Sequence, residues 1–132
     1  LVRIAAALTP DNGSLTLAHV EDEKVFQRFI NAIGKIPEID TDEARTLIMN
    51  QLLKEPTEYI ESCQAAIQAA GDTYEVKSVT TIGHRLFDYK KIIRDHEVDL
   101  VVLHTKDDDQ LAMHGLAYPL SVELRDTPLL LA

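Results

Sequence analysis

The stretch VDLVVLH at residues 98–104 constrains the fold more than any other part of the chain. Almost every residue in it is apolar, and such a strand is typical of a parallel sheet that helices cover on both faces. Strand-like composition recurs in residues 14–20, 74–82 and 128–132, which are rich in leucine or β-branched side chains and lie beside glycine or proline. The chain therefore contains four predicted strands.

Apolar residues recur at helical spacing between the predicted strands. The predicted helices cover residues 21–35, 86–97 and 110–125, a segment that begins after Asp40 or Thr41, and residues 1–8, which read as the last turns of a helix. Pro56 lacks an N–H and clashes inside a helix, so it should kink the long helical segment or start a new helix that Gly71 ends. The alternation of strands and helices predicts an α/β fold: a three-layer α/β/α sandwich around an open parallel, Rossmann-like sheet.

Composition limits the function as well as the fold. The 132 residues suffice for one domain, residues 1–132, with one core. The formal net charge of −9 opposes a phosphate backbone, so a nucleic acid is not an expected partner. The sequence contains no signal peptide and no long apolar run, which argues against a membrane partner. The single cysteine, Cys63, cannot form an internal disulfide, and we expect a cytoplasmic protein in which it is a small buried hydrophobe.

The order of the elements raises a question about the sheet. A doubly wound sheet rarely begins with a helix, because a helix needs a sheet face to cover and the chain normally enters through a central strand. We therefore expect a first strand that is absent from these residues and would lie between the strands at residues 14–20 and 98–104. Direct pairing of those two strands would contradict this expectation.

Three strings, in the same order and at similar spacing, resemble the universal stress protein family. LTLAHVEDE at residues 15–23 is similar to the family's second strand. Gly83, a helix and then VDLVV resemble the family's glycine, helix and Asp-Leu-Ile-Val strand. Gly115 through PLLL at residues 128–131 is similar to the last helix and closing strand. The resemblance implies an adenine-nucleotide alpha hydrolase-like sandwich with a regulatory role in stress responses.

Nucleotide-binding members of that family share a glycine motif after the fourth strand, Gly-x2-Gly-x9-Gly-Ser/Thr, whose backbone N–H groups and hydroxyl enclose phosphates. On alignment, the first two glycine positions correspond to His104 and Asp107, and only seven residues separate Asp107 from Gly115. The hydroxyl position is Leu116. The family's aspartate at the end of its first strand has no counterpart here. We therefore predict no cofactor, with ATP as the alternative.

The histidines that follow two predicted strands suggest a further candidate site. His19 and His104 should flank the absent strand, so both imidazoles could face the crevice at the carboxyl edge of the sheet. With the acidic residues 107–109 and His114 they make a conceivable site for a divalent cation, although no recognised metal-binding spacing is present. The other interpretation, a solvated acidic loop in which one aspartate caps the following helix, leads us to predict no metal.

Catalysis has little support in the sequence. Ser121 lies in the middle of a predicted helix without a base beside it, and Cys63 should be buried, so we do not expect an enzyme. The family commonly pairs through its final strand, which implies a homodimer edge at Leu129, Leu130 and Leu131.

The resulting expectation is a non-catalytic universal stress protein-like signalling or regulatory module that lacks an intact phosphate-binding loop. The alternative is a nucleotide-binding member that acts as a small-molecule sensor. In either case the chain could be a regulatory domain of a larger transporter or kinase, or bind another protein.

Overall fold

The computed structural model describes residues 1–105 and 115–132, in which helices alternate with parallel strands. The helices are α1 Val2–Leu8, α2 Glu23–Ile33, α3 Thr41–Ala69, α4 Arg85–Asp95 and α5 Ala117–Glu123. The strands are β1 Ser14–Asp22, β2 Glu75–Gly83, β3 Val101–Leu103 and β4 Leu129–Leu131. The α/β class predicted from the sequence is confirmed.

The strands form two parallel pairs. β1 pairs with β2 from Ser14 opposite Glu75 to Asp22 opposite Gly83. β3 pairs with β4, with Val101 opposite Leu129. Within the described residues these pairs are two separate two-stranded sheets, and β1 and β3 do not pair with each other. The two pairs are separated where the sequence analysis expected an absent strand between β1 and β3, so the pairing does not contradict that expectation.

The main core lies on one face of the first sheet. Leu15 and Leu17 project from the same face of β1 because side chains alternate along a strand. They pack with buried side chains from α3 and from the residue before β2, namely Ile60, Ile67 and Tyr74. Helix α1 adds Val2, Ala5 and Ala6 to this cluster, and the half-buried Cys63 also packs against it. Cys63 thus serves as a small core side chain.

Helix α3 continues without interruption through Pro56. Asp40 caps its first turn, where one carboxylate oxygen accepts hydrogen bonds from the N–H groups of Asp42 and Glu43 at 3.0 and 3.1 Å. A proline inside a helix removes one hydrogen bond and costs about 3 kcal/mol. The burial of Ile60 and Ile67 against β1 offsets this cost, since packing rather than propensity supplies most helix stability in proteins. Of the two sequence-based alternatives, a new helix at Pro56 is wrong.

The third strand is shorter than predicted because the end of α4 takes up the residues before it. Glu97 adopts the left-handed conformation, with φ of 50°. The N–H of Val98 donates to the carbonyl oxygen of Ile93 at 2.9 Å, which closes the helix as a Schellman turn. The chain becomes a strand only at Val101, where β4 offers a partner of equal length.

Tyr74 makes the free energy of unfolding depend on pH in the alkaline range. Burial, and then its hydrogen bond to Asp72 at 3.2 Å, raises the pKa of the phenol above its usual 10.0. Because the folded chain holds this proton more tightly than the unfolded chain, its contribution is complete below about pH 10 and is lost as the pH rises through the folded-state pKa.

Tyr74→Phe removes this titration. We expect the loss of unfolding free energy between about pH 9 and about pH 11 to be smaller in Tyr74→Phe than in the unaltered chain. Urea unfolding at the two pH values measures it. Tyr118→Phe is the matched control, because Tyr118 is 56% exposed. An equal loss in the unaltered chain and in Tyr74→Phe would contradict the assignment.

Candidate functional site

His19 and Glu21 project from the same face of β1 at its carboxyl end, because they are two residues apart in a strand. The His19 Nε2 lies 3.1 Å from the Glu21 Oε2. Both side chains are partly buried, at 35% and 23% exposure. The carboxyl edge of a parallel sheet is where ligands of α/β proteins usually bind, so this pair is placed where a site would be expected.

An open cleft of about 570 Å³ lies beside this pair. His19 and Glu21 form one wall. The other wall comes from two turns of α3 around the proline: Gln51, Leu52, Glu55, Pro56 and Tyr59. The lining contains two carboxylates and no lysine or arginine, so within the described residues this cleft repels anions.

Tyr59 lines the cleft from α3 and is 61% exposed. Its hydrogen bond with Cys63, one turn further along the helix, and then the electrostatic interaction with that group raise the pKa of the Tyr59 phenol. The phenol is therefore a neutral hydrogen-bonding group at ordinary pH. Among the described residues that line the cleft, none is a serine, threonine or cysteine that His19 could activate as a nucleophile.

His104 is the other histidine of the predicted pair. His104 follows β3, is exposed, and does not line the His19 cleft. The next residue, Thr105, donates its N–H to the carbonyl oxygen of Ala132 at 3.1 Å, so the chain still follows β4 beyond the strand. The predicted convergence of the two histidines stays a prediction, and Asp107 lies outside the described residues. No three histidine, cysteine or acidic residues in ranges 1–105 and 115–132 are grouped to hold a metal ion.

Gly115 and Leu116 lead into α5. Gly115 is buried and Leu116 is half-buried. Leu116 occupies the cap position of α5 and makes no side-chain hydrogen bond there. The position at which the family motif has a hydroxyl therefore has only an aliphatic side chain at the start of the helix.

A second cleft, also about 570 Å³, lies at the opposite, amino edge of β3 and β4. Its lining mixes cations and carboxylates from α4, α5 and the turns before the strands. The Lys90 ammonium pairs with the Glu123 carboxylate and so joins α4 to α5. This cleft lies away from the carboxyl edge, where ligands of α/β proteins usually bind.

No protein-family model and no curated protein sequence matches the chain. A solved structure, reported as a structure-based assignment of the biochemical function of hypothetical protein MJ0577 and a test case of structural genomics, is similar over 99% of this chain and 83% of that chain. The two sequences are 19% identical, and the TM-score is 0.74. The chain has a Rossmann-like α/β fold. At this identity the likeness concerns the fold alone.

In this Rossmann-like chain, the residues that line the His19 cleft include one that the sequence reasoning named as a site residue, His19, and residues of α3 that it did not. The residues on α3 recur at intervals of three or four, which is the spacing of one helix face. That signal was available, but nothing in it indicates which strand the face lies against. The packing of α3 on β1 decides that the face meets His19.

Two further features concern the surface. Leu130 and Leu131 are 37% and 42% exposed, whereas Leu129 is half-buried, so the predicted dimer edge is partly apolar and accessible.

Across residues 1–105 and 115–132, every helix is too short or too polar to cross a membrane.

Proposed function

We propose that the chain is a cytoplasmic, non-catalytic regulatory module of the universal stress protein type whose phosphate-binding loop has degenerated. The Rossmann-like fold supports the architecture that the family resemblance implies. The ordered strings around β1, β3 and β4 support the family, and the single cysteine supports the compartment.

The start of α5 carries this proposal. A phosphate at this place would need small residues, so that N–H groups can approach it, and a hydroxyl donor at the helix start. Leu116 supplies neither, since its half-buried aliphatic side chain occupies the cap position. Of the motif positions in this part of the chain, Gly115 keeps the glycine and Leu116 lacks the hydroxyl, which supports a degenerate phosphate site.

Negative charge at the carboxyl edge of the sheet also opposes the binding of a phosphate. Glu21 and Glu55 line the cleft beside His19, and its lining carries no lysine or arginine. A triphosphate there would meet like charges at short range, which is unfavourable without compensating cations.

A calorimetric titration of the purified chain with MgATP tests the proposal. We expect no saturable binding below about 1 mM, which corresponds to a binding free energy weaker than about −4 kcal/mol. Binding in the micromolar range would overturn the proposal in favour of the nucleotide-sensing alternative.

A charge variant shows which feature excludes the nucleotide. The triple substitution Asp107→Asn, Asp108→Asn and Asp109→Asn removes three negative charges from a segment outside the described residues. The matched control removes three from the opposite edge of the sheet, through Asp95→Asn, Glu97→Gln and Asp99→Asn. A gain of MgATP binding in the first variant alone would identify charge as the main barrier, and no gain would assign the loss to loop length and His104.

We also propose a homodimer that pairs through the outer edge of β4. The exposed Leu130 and Leu131 support it, because an open apolar strand edge is a ready site for pairing with another strand. Sedimentation velocity over a range of concentrations measures the dimer, and a monomer at every concentration would overturn it.

A further inference from the structure

The two carboxylates in the His19 cleft are not paired with lysine or arginine among the described residues. The Glu21 side chain is 23% exposed, and only its Oε2 atom is in contact with the His19 Nε2. Glu55 is exposed and makes no ion pair within residues 1–105 and 115–132. A partly buried carboxylate has lost some of its hydration, so a positively charged partner is favourable beside it. The cleft therefore has an electrostatic preference for cations.

Pro56 adds a backbone acceptor to the α3 wall of the cleft. In an α-helix the carbonyl oxygen of each residue accepts from the N–H four residues later and points toward it along the axis. Proline has no N–H, so the carbonyl oxygen of Leu52 lacks this donor although α3 continues through Pro56. Leu52 and Pro56 both line the cleft, which places the acceptor on the helix face that meets it.

The same wall has an apolar surface beside these acceptors. Tyr59 is 61% exposed, so much of its ring is accessible, and the face of an aromatic ring attracts cations. Leu52 and Pro56 are half-buried and add aliphatic groups. A volume of about 570 Å³ is ordinary for a site that binds a small molecule. This combination suits a ligand whose positive charge is joined to a hydrocarbon chain.

The lining favours an organic cation over a metal ion. In the part of the chain that the structure describes, no three histidine, cysteine or acidic residues are grouped to hold a metal. A metal ion needs at least about four ligands close around it, most of them from the protein in a tight site. An ammonium group instead donates three hydrogen bonds, and both carboxylate and carbonyl oxygens accept them.

We propose that the His19 cleft binds a small primary amine in its charged ammonium form. Glu21 and Glu55 are the counter-ions, the Leu52 carbonyl oxygen is a further acceptor, and the hydrocarbon chain of the amine lies against Tyr59. The net charge of −9 on the whole chain raises the local concentration of such cations. This inference does not depend on the proposed function, because it concerns the cleft beside β1 and not the phosphate-binding loop.

A titration with n-butylamine at constant ionic strength tests the site through amide chemical shifts. We expect saturable changes, with a dissociation constant of about 1 mM for so small a ligand, confined to the carboxyl end of β1 and to residues 51–59. The neutral 1-butanol, which has the same hydrocarbon chain, should cause no saturable change. Changes that do not saturate, or that spread over the acidic surface, would show general attraction by net charge and overturn the proposal.

Glu55→Gln and Glu58→Gln separate the cleft from the rest of the helix. The first removes a counter-ion and should weaken n-butylamine binding by about fivefold. The second is the matched control, because Glu58 is exposed on the same helix, pairs with Lys54 and lies outside the lining of the cleft. It should weaken binding by less than about 1.5-fold. Equal weakening by the two substitutions would overturn the proposal.

Pro56→Ala tests the backbone acceptor by itself. Alanine returns an N–H to the Leu52 carbonyl, so n-butylamine should bind about threefold more weakly. Butyltrimethylammonium has the same chain and charge but no N–H, and the substitution should leave its binding unchanged. Alanine also removes the unfavourable proline from α3, so a loss of binding cannot come from unfolding. Equal weakening for both cations would show that the carbonyl is not a ligand and would overturn the proposal as stated.

Discussion

Leu120→Ala is expected to lower the free energy of unfolding by about 3 kcal/mol, within the range for removing a buried leucine side chain. Leu120 is 1% exposed, which makes it one of the two large side chains that are fully buried in the described residues. It anchors α5, whose seven residues are too few to form a stable helix by themselves. The cavity left by the missing side chain therefore weakens both the packing of α5 and the helix α5 itself.

Val122→Ala is the matched control, because it shortens an aliphatic side chain on the same helix. Val122 is 61% exposed, and its replacement should change the free energy of unfolding by less than about 0.5 kcal/mol. Urea unfolding followed by circular dichroism measures both variants. Equal midpoints for the two would show that Leu120 does not anchor α5.

Val20→Asp is expected to cost more than about 4 kcal/mol, enough to unfold a domain of ordinary stability. Val20 is the other fully buried large side chain, and it lies near the carboxyl end of β1 beside His19. A carboxylate at this position would lose its hydration, and aspartate is also unfavourable in a strand. The variant should lack the dispersed amide spectrum of a folded protein.

Ser78→Asp separates the effect of burial from that of strand propensity. Ser78 lies on β2, opposite Leu17, and is exposed. The same aspartate there should cost less than about 1 kcal/mol. If Val20→Asp keeps a folded spectrum and the same urea midpoint as Ser78→Asp, the carboxyl end of β1 is accessible to water, and Val20 is not buried as described.

Local sequence patterns predicted the bounds of several helices and strands well. The strand predicted at residues 14–20 is Ser14–Asp22, and the helix predicted at residues 21–35 is Glu23–Ile33, with Asp22 as its cap. These segments carry their own signals, since alternation, turn residues and capping side chains act between near neighbours. Segments that depend on distant partners were predicted less well, and the strand expected at residues 98–104 pairs only over Val101–Leu103.

Of the residues that line the cleft, the sequence reasoning named only His19 as a site residue. His19 was found because a histidine at the carboxyl end of a strand lies where α/β proteins bind ligands. The residues across the cleft, Glu55, Pro56 and Tyr59, were not found, because they lie more than 30 positions from His19 in the chain. Their meeting depends on how α3 lies on β1, which buried side chains such as Ile60 and Ile67 decide together.

The sequence by itself determined the α/β class, the position of most helices and strands, and the excess of negative charge. Each of these follows from residue types and short-range spacing. The tertiary structure alone decided how α3 packs on β1, that the Val20 N–H donates to the Tyr89 hydroxyl, and that an acidic cleft lies beside His19. These features arise from contacts between residues far apart in the chain, whose free energy depends on packing in three dimensions and leaves no periodic pattern in the sequence.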